Sequence, residues 1–274
     1  MDFREIGKLV SEDRSSLEYL WKKRGNTVCP SCSSSEFYYH QRWRVRCKGC
    51  KKDYWPLQGT RFALLRISPS QWLSLVKLFE LSTSARKASQ EVHLSYKTTL
   101  RAYDILRRVL VEELAKTDDI LKGELEADEA YFGGKRKGKR GRGAGGKTIV
   151  YGILERGGRV SVSIVQDVSA ESLMTETVKR VRRGSIVYTD KWRGYDSLMF
   201  CGYKHLNIDH RYKFKQGKVY INGIEGFWAF AKERLIKHHG ISRKKFLFYI
   251  KEMEWRYNNR GKDLFEVLVD LMLH

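Results

Sequence analysis

The sequence predicts a multidomain protein, with a small metal-binding module over residues 1–65, a helical region over 66–118 and an α/β domain over 119–274. Two CxxC pairs and short alternating runs of aromatic residues fill the first segment. Apolar residues then adopt helical spacing, and from about residue 119 strand-like and helix-like segments alternate, which is typical of an α/β domain. A chain of 274 residues is long enough for two or three such units.

The composition indicates a polyanionic partner. Lys and Arg number 53 against 32 Asp and Glu, which gives a formal net charge of +21 and a pI near 9.8. Because phosphate contacts dominate nucleic-acid affinity, nucleic acid is the expected partner. There is no run of eighteen apolar residues, no lipidation motif and no basic-then-apolar leader, so neither membrane insertion nor secretion is expected. We therefore predict a cytoplasmic protein that associates with nucleic acid.

The first segment carries a strong metal-binding signal. Four of the five cysteines form CPSC and CKGC, with fourteen residues between the pairs: Cys29, Cys32, Cys47 and Cys50. Two CxxC turns on adjacent loops of a hairpin present four thiolates to one tetrahedral ion, which predicts a zinc ribbon with structural Zn²⁺. A redox role is disfavoured because no thioredoxin-like strand and helix flank either pair. Cys201 has no partner cysteine and is interpreted as a buried structural thiol.

The second segment has the layout of a helix-turn-helix over residues 84–108. Ser68 and Pro69 predict the start of a preceding helix that runs to Leu81. Ser84 then opens a short helix, VHLS makes a turn, and YKTTLRAYDILRRVLVEEL is amphipathic. Basic residues of that long helix are predicted to face DNA: Lys97, Arg101, Arg107 and Arg108. A merely structural helical hairpin is the alternative.

The third segment predicts a mixed sheet. LEADEAYF, TIVYGILE and RVSVSIVQDV read as successive strands, AESLMTETVKRV as a crossover helix, SIVYTD as a fourth strand and YKHLNID as a fifth, before two further helices. GGKRKGKRGRGAGGK, at 133–147, separates the first two strands and cannot bury apolar surface. It is either a solvated loop or an arm that contacts phosphates through Lys135, Arg136 and Lys137.

Acidic residues are concentrated in the first predicted strand, within ELEADEAYFGG. Strand alternation places Glu124, Glu126 and Asp128 on one face and turns Glu129 to the other. Asp190 closes the fourth strand and Glu225 begins a helix, so these two can converge with an acid of the first strand. Such a cluster would repel itself without cations, which predicts Mg²⁺ or Mn²⁺ held by carboxylate oxygens.

Each acid also has a purely structural interpretation. Asp190 suits a turn after a strand, and Asp128 could be a charge on an edge strand. Glu225 follows Asn222 by three residues, the spacing of a helix capping box. The residues alone leave both interpretations open.

Three blocks of the sequence, EADEAYFGG, VYTDKWRGYDSL and YINGIEGFWAFAKERL, resemble the catalytic blocks of DDE transposases from small bacterial insertion sequences, in the ISXO-like group. The resemblance extends to the cysteine pairs and to GTRFALLRISPSQW, and so covers nearly the whole chain. It implies an RNase H-like catalytic domain with Asp128, Asp190 and Glu225 at the metal-binding positions. It also selects Lys232, seven residues after the glutamate, as a catalytic residue. His210 lies where relatives often have histidine, although a structural role is the alternative.

The resemblance implies metal-dependent phosphoryl transfer on DNA. Water would release a 3′-hydroxyl at the transposon end, and that hydroxyl would attack target DNA. The zinc ribbon and helix-turn-helix would recognise terminal inverted repeats, and the pairing of two ends implies a homodimer or larger assembly. Two alternatives stay open: a DNA-binding regulator with a retired catalytic domain, and a stand-alone nuclease of the same fold.

Overall fold

The computed structural model describes residues 1–25, 27–40, 42–116, 120–133, 147–190, 202–208, 220–238 and 240–274. The described chain divides into two compact units, one formed by Met1–Glu113 with Gly261–His274 and the other by Leu114–Arg260. The C-terminal helix therefore packs in the N-terminal unit, whereas the sequence division assigned it to the α/β domain. No helix within the described ranges is long and apolar enough to cross a membrane.

The N-terminal unit combines helices with a small sheet. Its elements begin with α1 (Phe3–Val10), α2 (Asp13–Lys23), β1 (Phe37–His40), β2 (Arg44–Cys47) and β3 (Asp53–Tyr54). A 3₁₀ turn at Arg61–Leu64 then leads to α3 (Pro69–Glu80), α4 (Ala85–Glu91) and α5 (Tyr96–Lys116). The three strands form one antiparallel sheet in the order β1-β2-β3, which contains the hairpin expected from the sequence.

The predicted start of α3 is confirmed. Ser68 accepts a hydrogen bond from the backbone N–H of Gln71, the Gln71 side chain accepts one from the backbone N–H of Ser68, and Pro69 takes the first helical turn. This helix packs against α1, α2 and the C-terminal helix, so it lies at the centre of its unit.

The second unit is built on a mixed sheet, as the sequence predicted. Its elements are β4 (Glu124–Phe132), β5 (Thr148–Glu155), β6 (Val160–Val165), α6 (Ala170–Arg180), β7 (Ile186–Asp190), β8 (Lys204–Ile208), α7 (Asn222–Leu235) and α8 (Arg243–Asn258); α9 (Leu264–Leu273) follows in the first unit. The strand order is β6-β5-β4-β7-β8. β5 is antiparallel to β4 and β6, whereas β7 is parallel to β4 and β8.

Both faces of this sheet are covered. Ala130, Val150 and Val162 pack with apolar residues of α7 and α8 in one buried cluster. Leu125 and Ile153 point to the opposite face, where they pack with Leu173 of α6 in a second cluster. β4 is the central strand, so its side chains alternate between two cores, and a carboxylate on β4 can face α7 only from every second position.

Candidate functional site

Three of the four acidic residues of β4 differ from Asp128, two by their ion pairs with Arg156 and one by the face of the sheet on which it lies. Arg156 binds Glu124 through Nη1 at 2.7 Å and Glu126 through Nε at 3.1 Å. Glu129 lies opposite Tyr151 in the β4–β5 ladder, and Tyr151 belongs to the core on the α6 side. Glu129 is therefore turned away from α7, as alternation predicted, although it borders the same cavity as Asp128.

Asp128 faces α7. It lies opposite Gly152 in the ladder, and the nearest atoms above Gly152 are those of Trp228 and Ile224 on α7. In the described part of the chain Arg156 pairs with Glu124 and Glu126 and not with Asp128, which differs from its two neighbours in this respect. Strand alternation alone did not show which of these three acids is the metal ligand, and only the family resemblance selected Asp128.

A single cavity of about 510 Å³ brings the predicted catalytic residues together. Asp128 comes from β4, Asp190 from the end of β7, and Glu225 and Lys232 from α7. Ile221, Trp228 and Tyr131 form part of its apolar wall. Carboxylates from two parallel neighbouring strands and a helix packed on them thus meet at one opening.

The electrostatics of the cavity act on Asp128. Burial, together with the charges of Glu129, Asp190 and Glu225, raises the pKa of Asp128 to about 7. Several carboxylates that border one cavity make a cation favourable there, because a divalent ion offsets their repulsion. The set of hard oxygen donors therefore fits Mg²⁺ or Mn²⁺. Within the described residues, however, the acids do not form a group as compact as the cysteines described below.

The first turn of α7 is held by a neighbouring strand. The helix follows Ile221, and no side chain at that position caps it. Instead, Glu126 of β4 accepts a hydrogen bond from the backbone N–H of Ile224 at 3.0 Å, which satisfies one of the N–H groups left unpaired at a helix start. The backbone N–H of Glu225 donates to the carbonyl of Ile221. The capping-box alternative for Glu225 is therefore wrong, because Asn222 is inside the helix.

Lys232 lies two helical turns beyond Glu225. Seven residues at roughly 100° per residue return to nearly the same face of the helix, which explains why both side chains border the cavity. Lys232 is exposed, so its ammonium group is accessible to a phosphate.

The four paired cysteines converge as predicted. Their Sγ atoms all lie within 4.8 Å of one another, with Cys29 and Cys50 at 3.6 Å and Cys32 and Cys47 at 3.4 Å. Tetrahedral coordination at a zinc–sulfur distance of about 2.3 Å requires sulfur–sulfur separations of about 3.8 Å. The backbone N–H groups of Cys50 and Gly49 help to lower the pKa of the Cys47 thiol to about 6, whereas the hydrogen bond to Cys47 raises the pKa of the Cys32 thiol, so Cys47 ionises before Cys32. The cluster fits a zinc ion.

The basic residues of α5 separate into two groups. Lys97, Arg101 and Arg108 are exposed and lie within about 40° of one another around the helix. Arg107 is only 2% exposed, and its guanidinium lies 5.5 Å from the ring centre of Phe79 and 5.8 Å from that of Tyr103. The prediction that Arg107 faces DNA is wrong, because this position falls beside the apolar stripe of the helix.

Other predicted residues lie outside the described part of the chain: Lys135, Arg136, Lys137, Cys201 and His210. Sequence reasoning in turn missed Arg156, which stands between two tyrosine rings and two glutamates. No motif spacing identifies this arginine, since its partners come from β4, β7 and the segment before α7.

Comparison with known proteins identifies the family. The model of the ISXO2-like transposase domain matches residues 120–258, just over half of the chain. A transposase-like protein of Haemophilus influenzae is 41% identical over 101 residues, covering 37% of this chain and 82% of the relative. A protein in the transposable element ISH50 of Halobacterium salinarum is 26% identical and covers 98% of this chain and 99% of its own length.

Among solved structures, the chain is similar to the catalytic core domain of BIV integrase, with 12% identity, 52% of this chain and 86% of that chain covered, and a TM-score of 0.35. It is also similar to a chain of the pre-cleavage Mos1 transpososome, with 12% identity, coverage of 72% and 76%, and a TM-score of 0.30. At these scores the structural similarity carries no conclusion. The family match and the Haemophilus relative do, and by them this chain belongs to the ISXO2-like transposase family.

Proposed function

We propose that this protein is an active DDE transposase that binds the terminal inverted repeats of an insertion sequence and catalyses DNA cleavage and strand transfer with Mg²⁺ or Mn²⁺. The observation that carries the proposal is the single cavity bordered by Asp128, Asp190, Glu225 and Lys232. These residues come from three elements far apart in sequence, so their meeting is not a consequence of local chain geometry.

The carboxylates of Asp128, Asp190 and Glu225 would hold the cations. When bound, two such ions activate an attacking oxygen and stabilise the leaving oxygen of an in-line displacement. Lys232 would hold a phosphate oxygen beside them, and Trp228 and Ile221 would keep one wall of the site apolar. The strand order of the sheet, with β4 central and β7 beside it, supports an RNase H-like assignment for this domain.

The proposed reaction has two chemically similar steps. In the first, a water oxygen bonds to the phosphorus at the transposon end as the P–O3′ bond breaks, which leaves a free 3′-hydroxyl. In the second, that hydroxyl oxygen bonds to a target phosphorus as a target P–O3′ bond breaks. The first step is a hydrolysis that leaves a 5′-phosphate on the flanking DNA, with the water proton passing to the departing 3′-oxygen. The second is a transesterification that forms one phosphodiester as it breaks another. Neither step needs an oxidant or an external energy source.

DNA recognition is proposed for the N-terminal unit. Lys97, Arg101 and Arg108 form an exposed cationic stripe on the second helix of the α4–α5 pair, which supports a helix-turn-helix placed on DNA. The cysteine cluster supports a zinc ribbon in the same unit. We also propose Lys135, Arg136 and Lys137 as phosphate contacts. Because two transposon ends must be joined to one target, a dimer or larger assembly on DNA is part of the proposal.

The test is a strand-transfer assay with a labelled inverted-repeat end, Mg²⁺ and a target plasmid. We expect joined product from the natural sequence and none from Asp128→Ala or Glu225→Ala, with binding of the inverted repeat retained in both. Glu171→Gln, an exposed acid on α6, is the matched control and should join normally. Joining at the natural rate by either alanine variant overturns the assignment. Cleavage without joining would instead indicate a nuclease, and binding without reaction a regulator.

A further inference from the structure

We propose that Arg156 is a positioning residue of the metal site: it fixes the start of α7, and therefore Glu225 and Lys232, relative to β4. This inference rests on the proposed function. Arg156 itself does not border the cavity that holds the proposed metal ligands, so it would not touch the metal ions or the reacting atoms.

All three nitrogens of the Arg156 guanidinium are used. Nη1 binds Glu124 at 2.7 Å, Nε binds Glu126 at 3.1 Å, and Nη2 donates to the backbone carbonyl of Tyr220 at 2.7 Å. The guanidinium carbon lies 3.7 Å from the ring centre of Tyr188 and 4.0 Å from that of Tyr220. A planar cation held between two rings with three directed hydrogen bonds has one orientation.

The contacts of Arg156 join the elements that carry the catalytic residues. Glu124 and Glu126 belong to β4, the strand of Asp128. Tyr188 belongs to β7, two residues before Asp190, and Tyr220 precedes α7. One side chain thus connects the two catalytic strands to the segment that leads into the catalytic helix.

Glu126 transmits this arrangement to the helix. Its side chain is 1% exposed, and a carboxylate so buried requires a cationic partner, which Arg156 supplies. One oxygen binds Arg156 and the other accepts the backbone N–H of Ile224, the residue before Glu225. The charge at this position is also favourable because a helix N-terminus attracts an anion.

The fit at the start of α7 is close. A Cβ at Gly223 would lie 2.8 Å from the Oε2 atom of Glu126 and 2.6 Å from Leu154, so the helix backbone approaches β4 and β5 as nearly as a glycine allows. Asp128 is two residues along β4 from Glu126, on the same face. Loss of Arg156 would leave Glu126 buried without its cation and would loosen the spacing between Asp128 and Glu225.

The test is direct Mn²⁺ binding to the full-length protein by calorimetry, together with the Mg²⁺ dependence of strand transfer. We expect Arg156→Gln to weaken Mn²⁺ binding about 10-fold to 100-fold and to raise the half-saturating Mg²⁺ concentration in parallel, as loss of outer-shell support does in other metal sites. Arg156→Lys should weaken Mn²⁺ binding less, because lysine keeps the positive charge but cannot make all three directed hydrogen bonds of the guanidinium. Inverted-repeat binding should not change. Arg182→Gln, which removes an exposed arginine of the same unit, is the control.

If Arg156→Gln does not fold, Glu124→Gln provides the measurement. Glu124 is 40% exposed and contributes one of the three hydrogen bonds, so this variant should fold and shift Mn²⁺ binding in the same direction by a smaller factor. If folded Arg156→Lys and Glu124→Gln bind Mn²⁺ as tightly as the natural protein does, Arg156 does not position the metal site. A lowered melting temperature in these variants would then show only that Arg156 stabilises the fold. If the natural protein binds no Mn²⁺, the proposed metal site itself fails.

Discussion

Asp128 of β4 lies directly opposite Gly152 of β5, and a Cβ at Gly152 would stand 2.6 Å from the Cζ2 atom of Trp228 on α7. The indole of Trp228 therefore rests on the backbone of the sheet beside the central carboxylate. Trp228 is one turn after Glu225 on the same helix, so this contact limits how closely the helix that carries Glu225 approaches the sheet. A glycine in the middle of a strand otherwise weakens it, and here its absence of a side chain makes room for the helix.

The first prediction concerns that contact. Gly152→Ala should destabilise the protein by about 1–3 kcal/mol, because the added methyl group meets a rigid ring in a packed core. It should also reduce strand transfer more than DNA binding, since α7 is displaced from β4. Urea unfolding and the strand-transfer assay measure the two effects. Gly226→Ala is the matched control: nothing lies within 4 Å of a Cβ there, and a helical glycine replaced by alanine should be neutral or stabilising. Equal behaviour of the two variants would contradict the role of the contact.

The second prediction concerns pH. The folded protein holds the pKa of Asp128 at about 7, against an ordinary value of 3.8, so between these values the folded state binds more protons than the unfolded state. The contribution of Asp128 to stability is therefore unfavourable above pH 7 and improves by about 1.4 kcal/mol per pH unit as the pH falls from 7 toward 4. In the metal-free protein this slope adds to the contributions of the other titrating groups, several of which have lowered pKa values and act in the opposite direction.

Asp128→Asn isolates that contribution. The variant has no proton to gain at this position, so the difference in unfolding free energy between it and the natural protein should shrink as the pH falls from 8 to 5. At pH 8, added Mg²⁺ should remove the unfavourable contribution of ionised Asp128 to stability in the natural protein and have no such effect in Asp128→Asn. A difference that is independent of pH would show that Asp128 ionises normally.

The third prediction compares two adjacent arginines of α5. Arg108 is exposed and belongs to the cationic stripe, so Arg108→Ala should weaken DNA binding and lower the salt dependence of log K by about 0.9, the value of one phosphate contact. Arg107→Ala should leave that slope unchanged and instead lower stability by about 1–3 kcal/mol, because it empties a buried site between Phe79 and Tyr103. Binding titrations at several salt concentrations and thermal unfolding separate the two outcomes. The reverse result would place the DNA-facing side of α5 elsewhere.

Local patterns in the sequence predicted much of this fold. Alternation predicted the strands of the mixed sheet, and serine followed by proline predicted the start of α3, because both signals act over a few residues. Alternation also separated Glu129 from its neighbours. The sequence could not choose between Glu126 and Asp128, since that choice depends on Arg156, thirty positions away in the chain. The burial of Arg107 was missed for the same reason: its partner Phe79 belongs to another helix.

The last prediction concerns the cysteine cluster. If the four clustered cysteines hold one zinc ion, as we propose, the natural protein and Cys201→Ser should each carry one zinc per chain by elemental analysis, and Cys47→Ser should carry none. Loss of the ion should loosen the small sheet, whose Phe37 and Tyr54 pack against Trp21 of α2 at ring-centre distances of 4.7 and 5.9 Å. Chymotrypsin should then cut near residues 37–54 in Cys47→Ser and in chelator-treated natural protein. Resistance to the protease in both, with zinc absent, would mean that packing on α2 alone maintains this sheet. Zinc retained by Cys47→Ser would mean that the metal is bound elsewhere.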